Sequence, residues 1–117
     1  MSDRAQREAQ GRRGEWLAAW YLRLTGWHVL GQRIKTPRGE IDLIARRGRV
    51  VAFVEVKWRR SAAELDHAID PYRLRRVSAA AAAVAHRYVR KGDDQRIDVL
   101  LLAPGRWPRR IANAGLS

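Results

Sequence analysis

Residues 39–57 read GEIDLIARRGRVVAFVEVK, and this stretch decides the fold. Two runs, 40–46 within it and 50–59 continuing past its end, are rich in aliphatic and β-branched residues and have the length of β-strands. Gly48 and Arg49 lie between the runs, and glycine at the first central position is typical of a two-residue type II′ turn. The sequence therefore predicts an antiparallel β-hairpin.

Acidic residues lie inside this apolar hairpin. Counting outward from the turn places Asp42 directly across from Glu55. Like charges at such a position destabilise a sheet, and an unpaired buried carboxylate is unfavourable. Lys57 projects from the same face as Glu55 and lies across from Glu40, because alternate strand residues share a face. A turn of another length would shift this register. A divalent cation between the two carboxylates would compensate their repulsion.

The residue types at this position indicate the chemistry. A site made only of oxygen ligands favours Mg²⁺ or Mn²⁺ over zinc. A metal held by two carboxylates beside a lysine suits phosphodiester hydrolysis, with the lysine orienting the attacking water or stabilising negative charge. The three histidines, His28, His67 and His86, show no spacing of metal ligands and are interpreted as ordinary residues.

A simpler interpretation of the hairpin acids stays open. Glu40 and Lys57 could form a cross-strand salt bridge on a solvated face, with Asp42 and Glu55 as polar positions of an amphipathic strand. The residues around them are nearly all apolar, and Phe53 shares the face of Glu55. This apolar setting favours the functional interpretation.

The chain around the hairpin predicts one domain, residues 1–117, of the α/β class. Patterns of apolar residues predict a helix at 5–24, a strand at 27–33, a helix from an Asp70 cap and Pro71 to about Arg90, and a strand at 96–103. Residues 61–70 are expected to form a loop, and residues 1–10 and 108–117 to fray. The order αβββαβ favours a mixed sheet flanked by helices, with at least one parallel pairing across a helix.

Glu15 in the first predicted helix is a further candidate ligand. It shares a face with Ala18, Ala19 and Leu22, and this small apolar face is expected to look toward the sheet. A helix carboxylate directed at the metal would complete the site. The alternative is a partly exposed glutamate beside Arg12 and Arg13.

The composition indicates a polyanionic partner. The chain has 24 Lys and Arg against 12 Asp and Glu, a formal net charge of +12, which favours nucleic acid. It has no cysteine, so disulfides and cysteine-based zinc sites are excluded and a reducing cytoplasm is expected. No signal peptide and no membrane span is predicted. The five tryptophans are expected to supply large buried surfaces.

Arginines form the predicted nucleic-acid surface. Contacts of this type are usually made to phosphates and are independent of base sequence. Trp58 could stack on a base, although its strand position opposite to Lys57 favours packing in the core. The candidate phosphate contacts are Arg12, Arg13, Arg46, Arg47, Arg49, Arg59, Arg60, Arg73, Arg75 and Arg76.

Three motifs carry a family resemblance. Gly14-Glu15, residues 39–44 and residues 53–57 together resemble the bacterial YraN-type family of small proteins over about residues 11–102. That family is similar to the PD-(D/E)XK nuclease superfamily, akin to archaeal Holliday junction resolvases, whose core is αβββαβ. The resemblance implies metal ligation by Asp42, Glu55 and the Val56 carbonyl, Lys57 as catalytic lysine, and Glu15 as the helix acid.

The resemblance also marks two departures and one substitution. Arg33 stands where the family commonly has asparagine, and residues 61–70 lack a Phe-Gly-type element often found there. Arg73 stands at a position that often holds lysine and contacts the phosphate backbone. The charge is kept at that position, so little is lost by the substitution. The two departures bear on substrate handling more than on the metal site.

The sequence therefore predicts a metal-dependent endodeoxyribonuclease, a hydrolase that uses Mg²⁺ or Mn²⁺ to cut branched or otherwise structured DNA. A resolvase-like enzyme of this kind would suit a two-fold homodimer. Two alternatives are a non-catalytic nucleic-acid-binding protein with the same fold and a basic RNA-associated or ribosomal protein. The second of these leaves the hairpin acids unexplained.

Overall fold

The computed structural model describes residues 3–60 and 70–114, with the side chains of residues 3–13 left out. The expected loop at 61–70 therefore lies outside the described residues except for Asp70. The elements follow the predicted order, with one additional strand. They are α1 (Asp3–Leu24), β1 (His28–Thr36), β2 (Gly39–Arg47), β3 (Val50–Trp58), α2 (Pro71–Tyr88), β4 (Asp94–Leu102) and β5 (Arg109–Ile111).

The five strands form one mixed sheet in the order β1-β2-β3-β4-β5. The β3–β4 pairing is parallel and the others are antiparallel, which confirms the predicted crossover through a helix. The β2–β3 register pairs Arg47 with Val50, as the turn chemistry predicts. Gly48 has a φ of 63° and Arg49 keeps a negative φ, the combination that a type II′ turn requires.

The two helices cover opposite faces of the sheet. The small face of α1, with Ala18, Ala19 and Leu22, is buried against the sheet as predicted. On the other face, α2 packs Val77, Ala80, Ala81 and Val84 against the strands. Asp70 caps α2 by accepting a hydrogen bond from the Tyr72 N–H, which fixes where this helix begins over the sheet.

The tryptophans correct one expectation, because they are mostly not buried. Only Trp27 lies fully in the core, whereas Trp16 is 61% exposed and Trp107 is 84% exposed. Gly14 lies against the sheet, where a Cβ would be in ordinary contact with Val56, Trp58 and Leu102 at 3.6–3.8 Å. The helix approaches the sheet through its small residues, so its bulky residues are left on the outside. Trp58 packs against the core, as predicted.

The C-terminal segment corrects a second expectation. Arg109–Ile111, where fraying was expected, pairs with β4 as a short fifth strand. The fully buried Asp98 of β4 holds this segment: it accepts hydrogen bonds from the Arg110 guanidinium at 3.0 Å and the Asn113 N–H at 2.8 Å. Arg96 adds a second ion pair to the same carboxylate. Separating a buried carboxylate from its partners would leave an uncompensated charge, so Asp98 fixes this segment in its place beside β4.

No helix among the described residues is long and apolar enough to cross a membrane.

Candidate functional site

A cleft opens at the end of the hairpin away from its turn. The β2–β3 pairing ends at Leu43 with Val54, one residue pair before Asp42 and Glu55. Beyond this point β2 and β3 no longer pair with each other, although β2 stays paired with β1 and β3 with β4, and α2 approaches from one side. The cleft has a volume of about 290 Å³. Its lining residues are Gly39, Glu40, Asp42, Glu55, Arg73, Arg76 and Val77.

Asp42 occupies the floor of this cleft. Its carboxylate accepts a hydrogen bond of 2.7 Å from the Val56 N–H. The Asp42 side chain thus accepts the bond that a backbone carbonyl of a neighbouring strand would otherwise accept. Burial raises the pKa of Asp42 to about 7; the Val56 bond lowers it, and the negative charges of Glu55 and Glu15 raise it further. A carboxyl group whose pKa lies near neutrality in a cleft is a candidate functional group.

Lys57 and Glu55 form a direct ion pair in the same region. The lysine nitrogen lies 2.6 Å from the Glu55 carboxylate, and the lysine is only 5% exposed. The contact confirms that the two residues share a face of β3. Within the described residues Lys57 has no ion pair with Glu40, so the simple cross-strand bridge is not formed. Because a buried ion pair gains little over apolar packing, its presence here suits function better than stability.

Glu15 is placed by α1 at the other side of the site. Its carboxylate forms an ion pair with the Arg33 guanidinium of β1, and 16% of the side chain is exposed. Glu15 is close enough for its charge to raise the pKa of Asp42. The prediction that this residue looks toward the hairpin acids is thus consistent with its placement, and the partner that it has in the structure was not anticipated.

Gly39 shapes the entrance of the cleft. Its φ of 146° is a conformation that residues with a side chain rarely adopt. A Cβ at this position would lie 3.8 Å from both the Ala80 Cβ and the Arg76 carbonyl. The glycine therefore supplies the backbone conformation with which β2 begins beside α2, where Arg73 and Arg76 line the same cleft as the carboxylates.

The donor set fits a hard divalent cation in part. Asp42 and Glu55 line one cleft with oxygen ligands, and the repulsion between their charges is the kind that a cation relieves. Among the described residues, however, no three Asp, Glu, His or Cys side chains are gathered in an arrangement ready to hold a metal. Glu15 and Glu55 are instead engaged by Arg33 and Lys57. Two of the three expected carboxylates are therefore together, and the third is held by an arginine.

The predicted phosphate contacts divide into distinct groups. Arg73 and Arg76 are exposed at the cleft, so the structure brings them to the carboxylates. Arg46 instead bonds to Asp93 and the Tyr88 carbonyl, and Arg47 lies over the Trp27 ring at 4.5 Å. Arg59 donates to the Trp58 carbonyl. Arg49, Arg60 and Arg75 are exposed, and the side chains of Arg12 and Arg13 lie outside the described part.

Arg46 and Arg47 thus have structural roles at the turn end of the hairpin, away from the cleft. Sequence reasoning did not single them out for this, because their partners Asp93 and Trp27 lie far from them along the chain. Of the histidines, His28 and His86 are exposed, and His67 lies outside the described residues.

Comparison with known proteins identifies relatives of the whole chain. A family model described as "Uncharacterised protein family UPF0102" matches residues 14–102. A UPF0102 protein of Erythrobacter litoralis is 67% identical over 107 residues, which cover 92% of each chain. Similar proteins of Sphingopyxis alaskensis and Rhizorhabdus wittichii are 64% and 58% identical, over 94% and 97% of this chain and 95% and 96% of theirs. The matched region contains every described residue that lines the cleft.

Proposed function

We propose that this chain, which belongs to the UPF0102 family, is a metal-dependent endonuclease of the PD-(D/E)XK type that hydrolyses phosphodiester bonds in DNA. One observation carries the proposal: Asp42 and Glu55 line the same cleft as Arg73 and Arg76, with Lys57 in contact with Glu55. Carboxylates suited to a cation and guanidinium groups suited to phosphates thus meet in one place.

The residues divide the work of hydrolysis as follows. Asp42, Glu55, the Val56 carbonyl and Glu15 would hold Mg²⁺ or Mn²⁺. When bound, the ion supplies neutralisation of charge on the scissile phosphate and promotes ionisation of water. The Lys57 ammonium has three N–H donors and a fixed position beside Glu55, so it can orient the attacking water. Arg73 and Arg76 can bind the phosphates on either side of the scissile bond.

The charge of the chain supports DNA as the partner. A net charge of +12 favours a polyanion, and exposed arginines at the cleft direct that attraction to the site. Branched DNA, a two-fold homodimer and a cytoplasmic location are further parts of the proposal. Sedimentation of the protein alone and bound to a four-way junction tests the dimer directly.

A second candidate is a nucleic-acid-binding protein with this fold and no catalysis. The observation that favours it is the engagement of Glu15 and Glu55 by cationic side chains, with no three-residue metal group among the described residues. This candidate predicts salt-dependent DNA binding that is unaffected by metal and by loss of Asp42.

A cleavage assay separates the two candidates. Wild-type protein is incubated with a labelled four-way junction or a linear duplex in Mn²⁺, beside Asp42→Asn and Lys57→Met. The matched controls are Asp94→Asn and Lys91→Met, which change exposed residues at the opposite end of the sheet. We expect the site variants to lose about a hundredfold or more in rate, as removal of a group that stabilises the transition state does.

The outcomes are distinct. Cleavage that survives in both site variants refutes the catalytic assignment. Binding of DNA by wild-type protein without cleavage of either substrate supports the second candidate. Preferential cutting of the junction identifies branched DNA as the substrate class.

A further inference from the structure

Arg33 carries an arrangement that the proposed nuclease chemistry does not by itself explain. It lies in β1 between Gln32 and Ile34, which pair with Leu43 and Ile41 of β2, so it is level with Asp42 across the sheet. Its φ of 51° is rare for a residue other than glycine, and rarer inside a strand. Such an outlier, level with a residue that lines the candidate site, motivates a functional hypothesis.

Three negative charges among the described residues act on Arg33. Its guanidinium forms an ion pair with Glu15, and the charges of Glu40 and Asp42 also act on it, so the pKa of Arg33 is raised further. One cation therefore faces three acids from two elements: Glu15 on α1, and Glu40 and Asp42 on β2. A cation that interacts with several carboxylates of one site neutralises that site when no metal is present.

The side chain is also free to leave this position. Its exposed fraction is 46%, against 5% for Lys57, the other cation that is paired with a site carboxylate. An ion pair that is half exposed is weak, so a competing divalent cation can break it. Arg33 would then turn into solvent at the mouth of the cleft, where a DNA phosphate is the available anion.

We infer that Arg33 is a counter-ion of the proposed metal site. Its guanidinium pairs with the Glu15 carboxylate when no metal is bound. A divalent cation displaces it from Glu15, and Arg33 then contacts the DNA backbone. The inference rests on the proposed function for the identity of the cation and the phosphate. It explains why Glu15 is held apart from Asp42 and Glu55 in the structure: the third ligand is already engaged.

The inference makes metal binding and DNA binding dependent on each other. Removal of the Arg33 charge frees Glu15, so the metal binds more tightly in the absence of DNA. The same change removes a phosphate contact, so DNA binds less tightly once metal is present. The two effects have opposite signs, and a residue that only stabilised the fold would produce neither.

The test is isothermal titration of Mn²⁺ into DNA-free protein for wild type, Arg33→Asn and Arg33→Lys. Asparagine removes the charge and tolerates a positive φ better than arginine, so this variant is expected to fold. Lysine keeps the charge and serves as the rescue. Arg38→Asn is the matched control, because Arg38 is exposed in the β1–β2 turn and only its backbone N–H is bonded, to Thr36. Thermal melts establish that each variant is folded.

We expect Arg33→Asn to bind Mn²⁺ about fivefold or more tightly than wild type, with Arg33→Lys and Arg38→Asn close to wild type. Fluorescence anisotropy with a labelled junction in Ca²⁺ is expected to show weaker binding for Arg33→Asn, and in EDTA no difference from Arg38→Asn. Unchanged or weaker Mn²⁺ binding by Arg33→Asn overturns the inference, as does absence of Mn²⁺ binding in every variant.

The result separates this inference from the proposed function. If wild type cuts DNA but Arg33→Asn keeps the wild-type Mn²⁺ affinity, the counter-ion role fails and the nuclease stands. If wild type does not cut DNA but Arg33→Asn gains Mn²⁺ affinity, the counter-ion role stands and the nuclease fails.

Discussion

Replacement of Asp42 by asparagine is expected to stabilise the metal-free protein near pH 8. The pKa of Asp42 is raised from 3.8 to about 7, chiefly by burial. Between about pH 4 and pH 7 the unfolded chain has released this proton and the folded chain has not, so stability falls as pH rises through this window. The full shift corresponds to about 4 kcal/mol of unfolding free energy, at about 1.36 kcal/mol for each tenfold change.

Asparagine imitates the protonated side chain and keeps an oxygen that can accept the Val56 N–H. We therefore expect the free energy of unfolding of Asp42→Asn to exceed that of wild type by about 2 to 4 kcal/mol at about pH 8. The lower figure reflects solvent screening in an open cleft. At about pH 3 the gain is expected to vanish, because wild-type Asp42 is then protonated in the folded protein and largely protonated in the unfolded chain.

Urea denaturation in EDTA at both pH values measures the effect. Asp94→Asn, an exposed carboxylate at the far end of β4, is the control and is expected to change stability by less than about 0.5 kcal/mol. The reasoning is refuted if Asp42→Asn is no more stable than wild type near pH 8, or if its gain is the same at both pH values. A gain in stability that is confined to high pH shows that the ionised Asp42 carboxylate lowers stability. Such a residue is retained for function and not for the fold.

Two further predictions concern the ionisable groups. Mn²⁺ affinity, measured by calorimetry, is expected to fall by about tenfold for each pH unit below about 7, because the metal must displace the proton of Asp42; an affinity independent of pH would contradict this. The hydrogen bond from Arg46 lowers the pKa of Asp93 to about 2, with help from the Arg90 N–H, so this pair stabilises the fold above about pH 4 and loses that effect as pH falls toward 2. Arg46→Gln should therefore shift the carboxyl titration of Asp93, followed by NMR, upward toward 3.8, whereas an unchanged midpoint would rule out Arg46 as the cause.

The hairpin shows how far sequence reasoning reaches. Gly48 and Arg49 predicted the turn, and the turn fixed which residues of β2 and β3 face each other. The placement of Asp42 and Glu55 in one cleft follows from that local rule. The Lys57–Glu55 contact was predicted in part. Strand alternation places the two residues on one face, but their ion pair lies beyond Leu43 and Val54, where β2 and β3 no longer pair, and the sequence did not predict it.

The failures share a cause, since each depends on contacts between segments distant in sequence. The tryptophans of α1 were expected inside, yet α1 packs on the sheet through its small face and leaves Trp16 exposed. The tail was expected to fray, yet Arg109–Ile111 form a fifth strand. The buried carboxylate of Asp98 accepts hydrogen bonds from Arg110 and Asn113 in this segment. The spacing of Ala18, Ala19 and Leu22 did predict the inward face of α1, whereas the pairing of the tail with β4 leaves no periodic signal in the local sequence.

By itself the sequence determined the α/β order of elements, the hairpin register and the pair of carboxylates across it, because turn chemistry and strand alternation act over a few residues. Only the tertiary structure decided which cation each acid meets. Glu15 and Arg33 are eighteen residues apart, and their pairing depends on how α1 lies over β1. Electrostatic interaction depends on distance in space, so the present state of the site, with Glu15 held by Arg33 and Glu55 by Lys57, is a property of the folded chain alone.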